Sequence, residues 1–141
     1  MTIQRRAVLA ATLVAAAFAT PSIALAQKKI VLGFSQIGAE SEWRTANTES
    51  IKQAAKDAGI ELKFSDAQQK QENQIKAIRS FIAQKVDVIG LSPVVETGWD
   101  TVLQEAKAAH IPVILTDRAV DSKDKSLYVT FMGSEIGRAH V

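Results

Sequence analysis

Short apolar runs alternate with amphipathic stretches along most of this chain. The apolar runs have the length and composition of β-strands, and the stretches between them repeat apolar residues at the spacing of an α-helix. The pattern predicts strands over 28–35, 60–65, 86–91 and 111–116, a fifth strand beginning over 127–132, and helices over 42–58, 70–84 and 97–109. Strands that alternate with helices favour an α/β fold, an open parallel sheet with helices on both faces.

Several residues mark the ends of these elements. Ser41 is a favoured residue for the N-cap of the first helix, and Gly59 is a natural residue for its C-terminal end. Pro112 prevents the third helix from continuing. The run over 60–65 alternates apolar and polar residues, as expected near a sheet edge. The run over 111–116 is almost unbroken, as expected for a strand that is buried on both faces.

The first 26 residues have the features of a secretory signal peptide. Arg5 and Arg6 supply the positive charge, residues 7–19 form an apolar run, and residues 24–26 read Ala-Leu-Ala, a cleavage signal. A membrane anchor fits less well, because the run is shorter than the ~20 residues that span a bilayer. We therefore predict cleavage after Ala26 and a periplasmic location, and we leave open whether export uses the general or the twin-arginine route.

Charge and cysteine content narrow the function. The chain has 17 Lys and Arg against 15 Asp and Glu, and Arg5 and Arg6 account for the excess of two. A neutral exported chain gives no reason to expect nucleic acid as a partner. There are no cysteines, which excludes thiolate metal sites and a cysteine nucleophile.

Polar and aromatic side chains follow the predicted strands at their carboxyl ends, where open α/β sheets bind ligands. Trp43 and Arg44 come after the first strand, and Asp117 and Arg118 come directly after the fourth. Carboxylates accept hydrogen bonds from sugar hydroxyls, guanidinium groups donate them, and an indole ring can cover the C–H face of a sugar. The combination predicts a carbohydrate site. The same residues also fit simpler interpretations: Asp117 and Arg118 as a surface ion pair, and Trp43 as part of the core.

The segments that carry these residues resemble a known family, the periplasmic sugar-binding proteins of the ribose/galactose type. The resemblance is strongest to its galactofuranose-binding branch. It rests on VLGFSQIGAESEWRTANTESI, DAQQKQENQIKAIRSFIAQKVD, SPVVETGWDTVLQEAKAAHIPVILTDR and DKSLYVTFMGS. The segment IPVILTDR is typical of the whole superfamily, whereas GFSQIGAESEWR is more specific to the galactofuranose-type branch.

The resemblance implies a function and a site. It implies the type I periplasmic-binding-protein fold and a monomeric substrate-binding component of an ABC sugar importer, with a monosaccharide, such as galactofuranose, between two lobes. The site residues that it implies are Trp43, Arg44, Asp117, Arg118 and, with less support, Glu40. The expected partners are the sugar and a membrane permease. The resemblance implies no catalytic residues, no cofactor, no metal and no nucleic acid.

The resemblance also divides the chain. We expect a signal peptide over 1–26 and an incomplete N-terminal lobe over 27–134, with the second lobe missing. The last seven residues, 135–141, read EIGRAHV, which GAG ATC GGA AGA GCA CAC GTC would encode. Because that string looks like sequencing-adapter read-through, we expect these residues to be non-native.

Other function classes fit less well or stay open. A hydrolase is not favoured, because the chain has no Gly-x-Ser-x-Gly motif and His110 is poorly placed as a base. His110 follows a helix, where it suits the helix dipole. A sugar-responsive repressor would carry a basic helix-turn-helix where this chain has its leader. A sugar sensor that docks on a chemoreceptor or kinase remains an alternative.

Overall fold

The structure is a computed structural model that describes residues 28–133. It contains five strands in one parallel sheet and three main helices. The strands are β1 Val31–Gln36, β2 Glu61–Asp66, β3 Val88–Leu91, β4 Val113–Thr116 and β5 Thr130–Met132; the helices are α1 Glu42–Asp57, α2 Gln71–Ala83 and α3 Asp100–Ala108. The predicted signal peptide and the tail 135–141 lie outside the described residues.

The strand order is β2-β1-β3-β4-β5, and every neighbouring pair is parallel. The predicted fold class is therefore confirmed, and β2 lies at a sheet edge as its alternating pattern predicted. The strand that follows β1 in the chain, β2, lies on one side of it, and β3 lies on the other. The order in which strands are added to the sheet therefore reverses between β1 and β3. In open α/β sheets, ligands bind at the carboxyl ends of the strands beside such a reversal.

Two glycines identify the two faces of the sheet. A Cβ atom at Gly33 of β1 would lie 2.5 Å from the Phe81 ring of α2, so Gly33 allows α2 to pack closely. A Cβ atom at Gly90 of β3 would lie 2.5 Å from the ring of Phe34, which extends to the side of α1. We call these sides the α2/α3 face and the α1 face.

The main hydrophobic core lies on the α2/α3 face. It contains Ile78 and Phe81 from α2, Leu103 from α3 and Leu115 from β4. Trp99 is also fully buried there. On the outside, Arg79 and Glu105 join the two helices through two hydrogen bonds of 2.8 Å each. None of the helices within residues 28–133 is long and apolar enough to cross a membrane.

The α1 face is covered less completely. Phe34 and Ala55 are buried there. In β4, Val113 and Leu115 are buried, whereas Ile114 and Thr116 are only half-buried. The prediction that this strand is buried on both faces is therefore wrong for the α1 face within the described residues, because α1 packs on β1 and β2 and leaves β4 open.

All three helices end in the same hydrogen-bonding motif. Each is followed by a residue with positive φ, namely Gly59 (φ 67°), Lys85 (φ 53°) and His110 (φ 57°). At the end of α1, Gly59 N–H donates to the Lys56 carbonyl and Ile60 N–H donates to the Ala55 carbonyl, which is a Schellman motif. Gly59 thus stands just past the cap residue, Ala58, as its position in the sequence suggested.

Several element boundaries differ from the predicted ones, and the following two change the local structure. The third helix begins at Asp100 rather than at Thr97 or Gly98. The fifth strand begins at Thr130 rather than at Leu127, because Leu127 is the last residue of a 3₁₀ turn, Lys125–Leu127. Asp124 caps this turn by accepting a hydrogen bond from Ser126 N–H, and the turn places Leu127 in the core.

Candidate functional site

The candidate site lies at the carboxyl edge of the sheet, where the loops after β1, β3 and β4 meet. Arg44, in the first turn of α1, is its central residue. Ser41 starts the helix in extended conformation and accepts a hydrogen bond from Arg44 N–H at 3.2 Å, as predicted for an N-cap. This cap fixes the start of α1, so the Arg44 side chain extends across the ends of the strands, where it is only 7% exposed.

Arg44 connects the three loops. Its Nη1 lies 2.7 Å from Asp117 Oδ2, after β4, and donates to Ser92 Oγ, after β3, at 3.4 Å. Its Nε donates to Glu40 Oε1, in the loop after β1, at 3.1 Å. A buried guanidinium group between two carboxylates is compensated electrostatically, and it is held in one orientation.

Asp117 has an unusual backbone conformation. Its φ is +66°, and Arg118 N–H donates to the Thr116 carbonyl at 2.7 Å across it. This hydrogen bond closes a γ-turn with positive φ, which is the rarer of the two γ-turn types and is strained in a residue other than glycine. The turn directs the carboxylate of Asp117 toward α1. Strain of this kind is found most often at functional sites.

The Arg44–Asp117 contact is an ion pair without good hydrogen-bond direction. Although the two atoms are 2.7 Å apart, Asp117 Oδ2 is buried and accepts no hydrogen bond from any of the described residues. The 2.7 Å between Arg44 Nη1 and Asp117 Oδ2 is short enough for an ion pair, but the N–H bond is not directed at the oxygen closely enough for a hydrogen bond. Because Oδ2 is buried against Arg44, a ligand would reach Asp117 through the part of its side chain that is exposed, which is 20%.

Trp43 and Arg118 border this cluster. The Trp43 ring lies 5.0 Å from the Arg44 guanidinium carbon, and Trp43 is 50% exposed. The interpretation of Trp43 as a core residue is therefore wrong. Arg118 Nε is 4.0 Å from Asp117 Oδ2, and its Nη1 donates to the Val94 carbonyl at 2.9 Å.

The structure thus brings all five predicted site residues into one connected cluster. The main pairing differs from the one that the sequence suggested. The adjacent residues Asp117 and Arg118 make a long contact, whereas Arg44 and Asp117, which are far apart in the chain, make the short one. With Glu40 included, the cluster holds two carboxylates and two guanidinium groups, so its formal charges balance and it contains both acceptors and donors.

Two buried glutamines support this edge, and the sequence interpretation missed both. Gln36, the last residue of β1, donates from Nε2 to Asn47 Oδ1 at 2.9 Å and thereby fixes α1 against the sheet. Gln74 of α2 holds the loop after β3. A signal was present for Gln74, because it stands at helical spacing from Ile78 and Phe81 on the buried side of α2.

An open cavity of about 590 Å³ lies on the α1 face beside the site. We call it the α1 groove. Its walls include Phe34, Trp43, Ile51, Thr116, Asp117 and Met132. Most of this lining is apolar, and only the end formed by Trp43 and Asp117 reaches the charged cluster. Within residues 28–133, no group of three or more His, Cys, Asp or Glu side chains is arranged to hold a metal ion.

Comparison with known proteins is consistent with this geometry. Residues 32–141 match the family model of the periplasmic binding protein domain. The galactofuranose-binding protein YtfQ of Escherichia coli (strain K12) is 60% identical over 112 residues, which are 79% of this chain and 35% of that protein.

Two solved structures resemble the fold. A protein from Mycobacterium smegmatis in complex with β-D-fucofuranose is 69% identical, with a TM-score of 0.73, over 74% of this chain and 34% of that one. The binding protein of the arabinose ABC transporter from Shewanella sp. ANA-3, bound to α- and β-L-arabinofuranose, is 60% identical, with the same TM-score and coverage. The chain spans about a third of the length of the relatives it matches.

Proposed function

The chain belongs to the periplasmic binding protein family, and on that basis we propose that it supplies one wall of a sugar-binding site in an ABC importer. The observation that carries the proposal is Arg44, which is buried and joins the loops after all three central strands. The cluster around it binds its ligand without a covalent step, because its groups suit hydrogen bonding to hydroxyls. It acts as a receptor and not as an enzyme.

The chemistry of the cluster suits a polyhydroxylated ring. Asp117 and Glu40 accept hydrogen bonds from hydroxyls, and Arg44 and Arg118 donate to ring or hydroxyl oxygens. The half-exposed Trp43 offers an apolar surface for the C–H face of the sugar. Each hydrogen bond to a charged group contributes about 1.5–3 kcal/mol, so two or three of them distinguish between hydroxyl arrangements.

The ring form that we propose is the five-membered furanose. The names of three similar proteins support it: galactofuranose for the Escherichia coli relative, fucofuranose for the mycobacterial structure and arabinofuranose for the Shewanella structure. All three sugars share a compact ring with an exocyclic substituent. Galactofuranose is the sugar that we propose first for this protein.

The rest of the proposal concerns the whole protein. Residues 1–26 export the protein to the periplasm and are removed after Ala26. Residues 27–134 form part of an N-terminal lobe, and a second lobe closes over the sugar. The closed monomer then docks on the membrane permease. Residues 135–141 are a non-native tail, and sequencing the source DNA tests this: the codons for EIGRAHV followed by a stop would contradict it.

The α1 groove supports the proposal that the lobe is incomplete. Its apolar walls would be exposed to water if nothing else packed against them, and removing apolar surface from water is favourable. We expect chain that follows β5 to fill it in the complete protein. A dye for apolar surfaces such as ANS should therefore bind the 141-residue chain and bind the complete protein much less; equal binding would contradict the expectation.

Titration calorimetry on the protein from its complete reading frame tests the function. We expect binding of L-arabinose, D-galactose or D-fucose, and we expect the anomeric ¹³C signal of a labelled bound sugar to be that of a furanose. The 141-residue chain alone should bind very weakly, because half of the contacts are missing. Micromolar binding by this chain would contradict the two-lobed site, and no heat with any sugar would refute sugar binding.

Substitution of Arg44 connects the function to the site. Arg44→Met should weaken sugar binding about 10–150-fold, the effect of losing one charged hydrogen bond. Arg79→Met is the matched control, because Arg79 also pairs with a carboxylate but lies on the outside of α2. The control should bind sugar as the unsubstituted protein does. Equal affinity in both variants would exclude Arg44 from the site.

A further inference from the structure

Gln74 is a polar residue in an otherwise apolar environment. It lies one turn before Ile78 and two turns before Phe81 on the side of α2 that packs against the sheet, and its side chain is completely buried. An apolar residue would fill this position without the free-energy cost of burying an amide, so the amide must be satisfied by specific partners.

Both ends of the Gln74 amide bind the loop after β3. The Nε2 atom donates to the Ser92 carbonyl at 2.7 Å, and the Oε1 atom accepts from Val94 N–H at 2.9 Å. Only this orientation of the amide matches a donor with a carbonyl and an acceptor with an N–H. Gln74 therefore makes a two-point contact with main-chain atoms on either side of Pro93.

The loop needs this contact because the sheet stops supporting it. The last ladder hydrogen bond of β3 on the side of β1 runs from Ser92 N–H to the Ser35 carbonyl at 3.0 Å. The next groups on that side are the Ser92 carbonyl and Val94 N–H, and both bind Gln74 instead of β1. Beyond that point the Gln74 side chain takes the place of a neighbouring strand.

The same three-residue loop contacts both arginines of the candidate site. Ser92 Oγ accepts from Arg44 Nη1 at 3.4 Å, and the Val94 carbonyl accepts from Arg118 Nη1 at 2.9 Å. Gln74 binds these same two residues from the opposite side. Each guanidinium group is thus connected to the buried Gln74 amide through a single residue, Ser92 for Arg44 and Val94 for Arg118.

We propose that Gln74 is a positioning residue for sugar binding: it fixes Ser92 and Val94 so that Arg44 and Arg118 are oriented before the ligand arrives. This inference rests on the proposed function. Fixing the loop in advance reduces the ordering that binding would otherwise require, which improves affinity. The role requires one donor and one acceptor on a side chain of this length, which methionine, leucine and ionised glutamate lack.

Gln74→Met in the protein from the complete reading frame tests the proposal. This variant keeps the length and volume of the side chain but loses both hydrogen bonds, and we expect about tenfold weaker sugar binding. Ile78→Val is the matched control, since it trims a buried residue one turn along the same side of α2. The control should lower the melting temperature but change the Kd less than about twofold.

A double substitution separates positioning from general damage. Because Gln74 acts on the ligand partly through Val94 and Arg118, Gln74→Met should have a smaller effect on Kd when Arg118 has already been changed to Met. Equal effects in both backgrounds would overturn the link through Arg118. Sugar binding by Gln74→Met that is as tight as that of the unsubstituted protein would overturn the proposal as a whole.

Gln74→Glu gives a second, reversible test. A protonated carboxyl can donate to the Ser92 carbonyl and accept from Val94 N–H, whereas the ionised form can only accept. The affinity of this variant, relative to the unsubstituted protein, should therefore recover between pH 8 and pH 5; no recovery would count against the proposal. If the unsubstituted protein bound no sugar at all, the proposed function would fail, and this inference with it.

Discussion

The two faces of the sheet differ in how completely they are covered. On the α2/α3 face, two helices and the segment around Leu127 enclose a continuous core. On the α1 face, one helix packs over β1 and β2, and the α1 groove leaves part of β4 and β5 open within residues 28–133. The closed face holds most of the buried apolar side chains, whereas the apolar walls of the α1 groove on the other face are left open within the described residues. The candidate site lies at the edge that both faces share.

The largest expected effect is the difference between a core residue on each face. Leu103→Ala removes a fully buried side chain from the α2/α3 core and should lower the free energy of unfolding by about 2–5 kcal/mol. Ile51→Ala removes a half-buried side chain from the wall of the α1 groove and should cost about 1 kcal/mol or less, because alanine also favours the helix. Urea unfolding measures both.

Similar costs for the two variants would mean that the α1 groove is filled in solution. If Leu103→Ala does not fold, Ile89→Val on β3 is a milder probe of the same core, with an expected cost of about 0.5–1.5 kcal/mol.

Substitutions at the helix ends should change the free energy of unfolding by an intermediate amount. The change should be a loss after α1, on one face, and a gain after α2 and α3, on the other. Gly59, which ends α1, already suits its left-handed conformation, so Gly59→Ala should destabilise the protein by about 1 kcal/mol. Lys85 and His110, which follow α2 and α3, adopt that conformation at a cost. Lys85→Gly and His110→Gly should each stabilise by up to about 1 kcal/mol.

Thermal unfolding of these cap variants is the measurement. Their sites are at the opposite end of the strands from Arg44, so sugar affinity should not change. Destabilisation by Lys85→Gly would show that the lysine side chain contributes more than the backbone strain costs.

The smallest expected effect is the pH dependence of the stability that the Arg79–Glu105 ion pair contributes on the outside of the α2/α3 face. The Arg79 hydrogen bond lowers the pKa of Glu105 below its ordinary value of 4.5. A carboxyl group with a lowered pKa in the folded state stabilises the protein above its ordinary pKa, and this contribution is lost as the pH falls through the folded-state value. Because both side chains are largely exposed, the effect is small.

Glu105→Gln isolates this contribution. The melting temperature of the variant should be slightly lower than that of the unsubstituted protein at pH 7, and the difference should shrink as the pH falls below the ordinary Glu pKa of 4.5. A difference that did not change with pH would mean that the substitution acts through packing instead of charge.

The sequence predicted the parts of the fold that depend on local signals. Ser41 and Gly59 marked the ends of α1, and the order of apolar runs gave the parallel sheet. The rule that ligands bind at the carboxyl ends of strands was enough to place Trp43, Arg44 and Asp117 near one another. These features could be read because each depends on neighbouring residues or on the topology alone.

What the sequence did not predict depends on side-chain packing between distant segments. The short contact of Asp117 is with Arg44 and not with its neighbour Arg118, because the γ-turn directs the carboxylate toward α1. The half-buried state of Ile114 depends on how far α1 extends over the sheet. Gln74 was overlooked because a polar residue on the apolar side of a helix does not reveal which distant groups its amide binds.

The γ-turn at Asp117 limits how this site can be redesigned. With φ held at +66°, glycine and asparagine are the substitutes that tolerate the backbone best, and neither carries a charge. A library of variants intended to change the sugar preference should therefore vary Trp43, which is half-exposed and lies on a regular helix. Asp117 should be left unchanged in such a library.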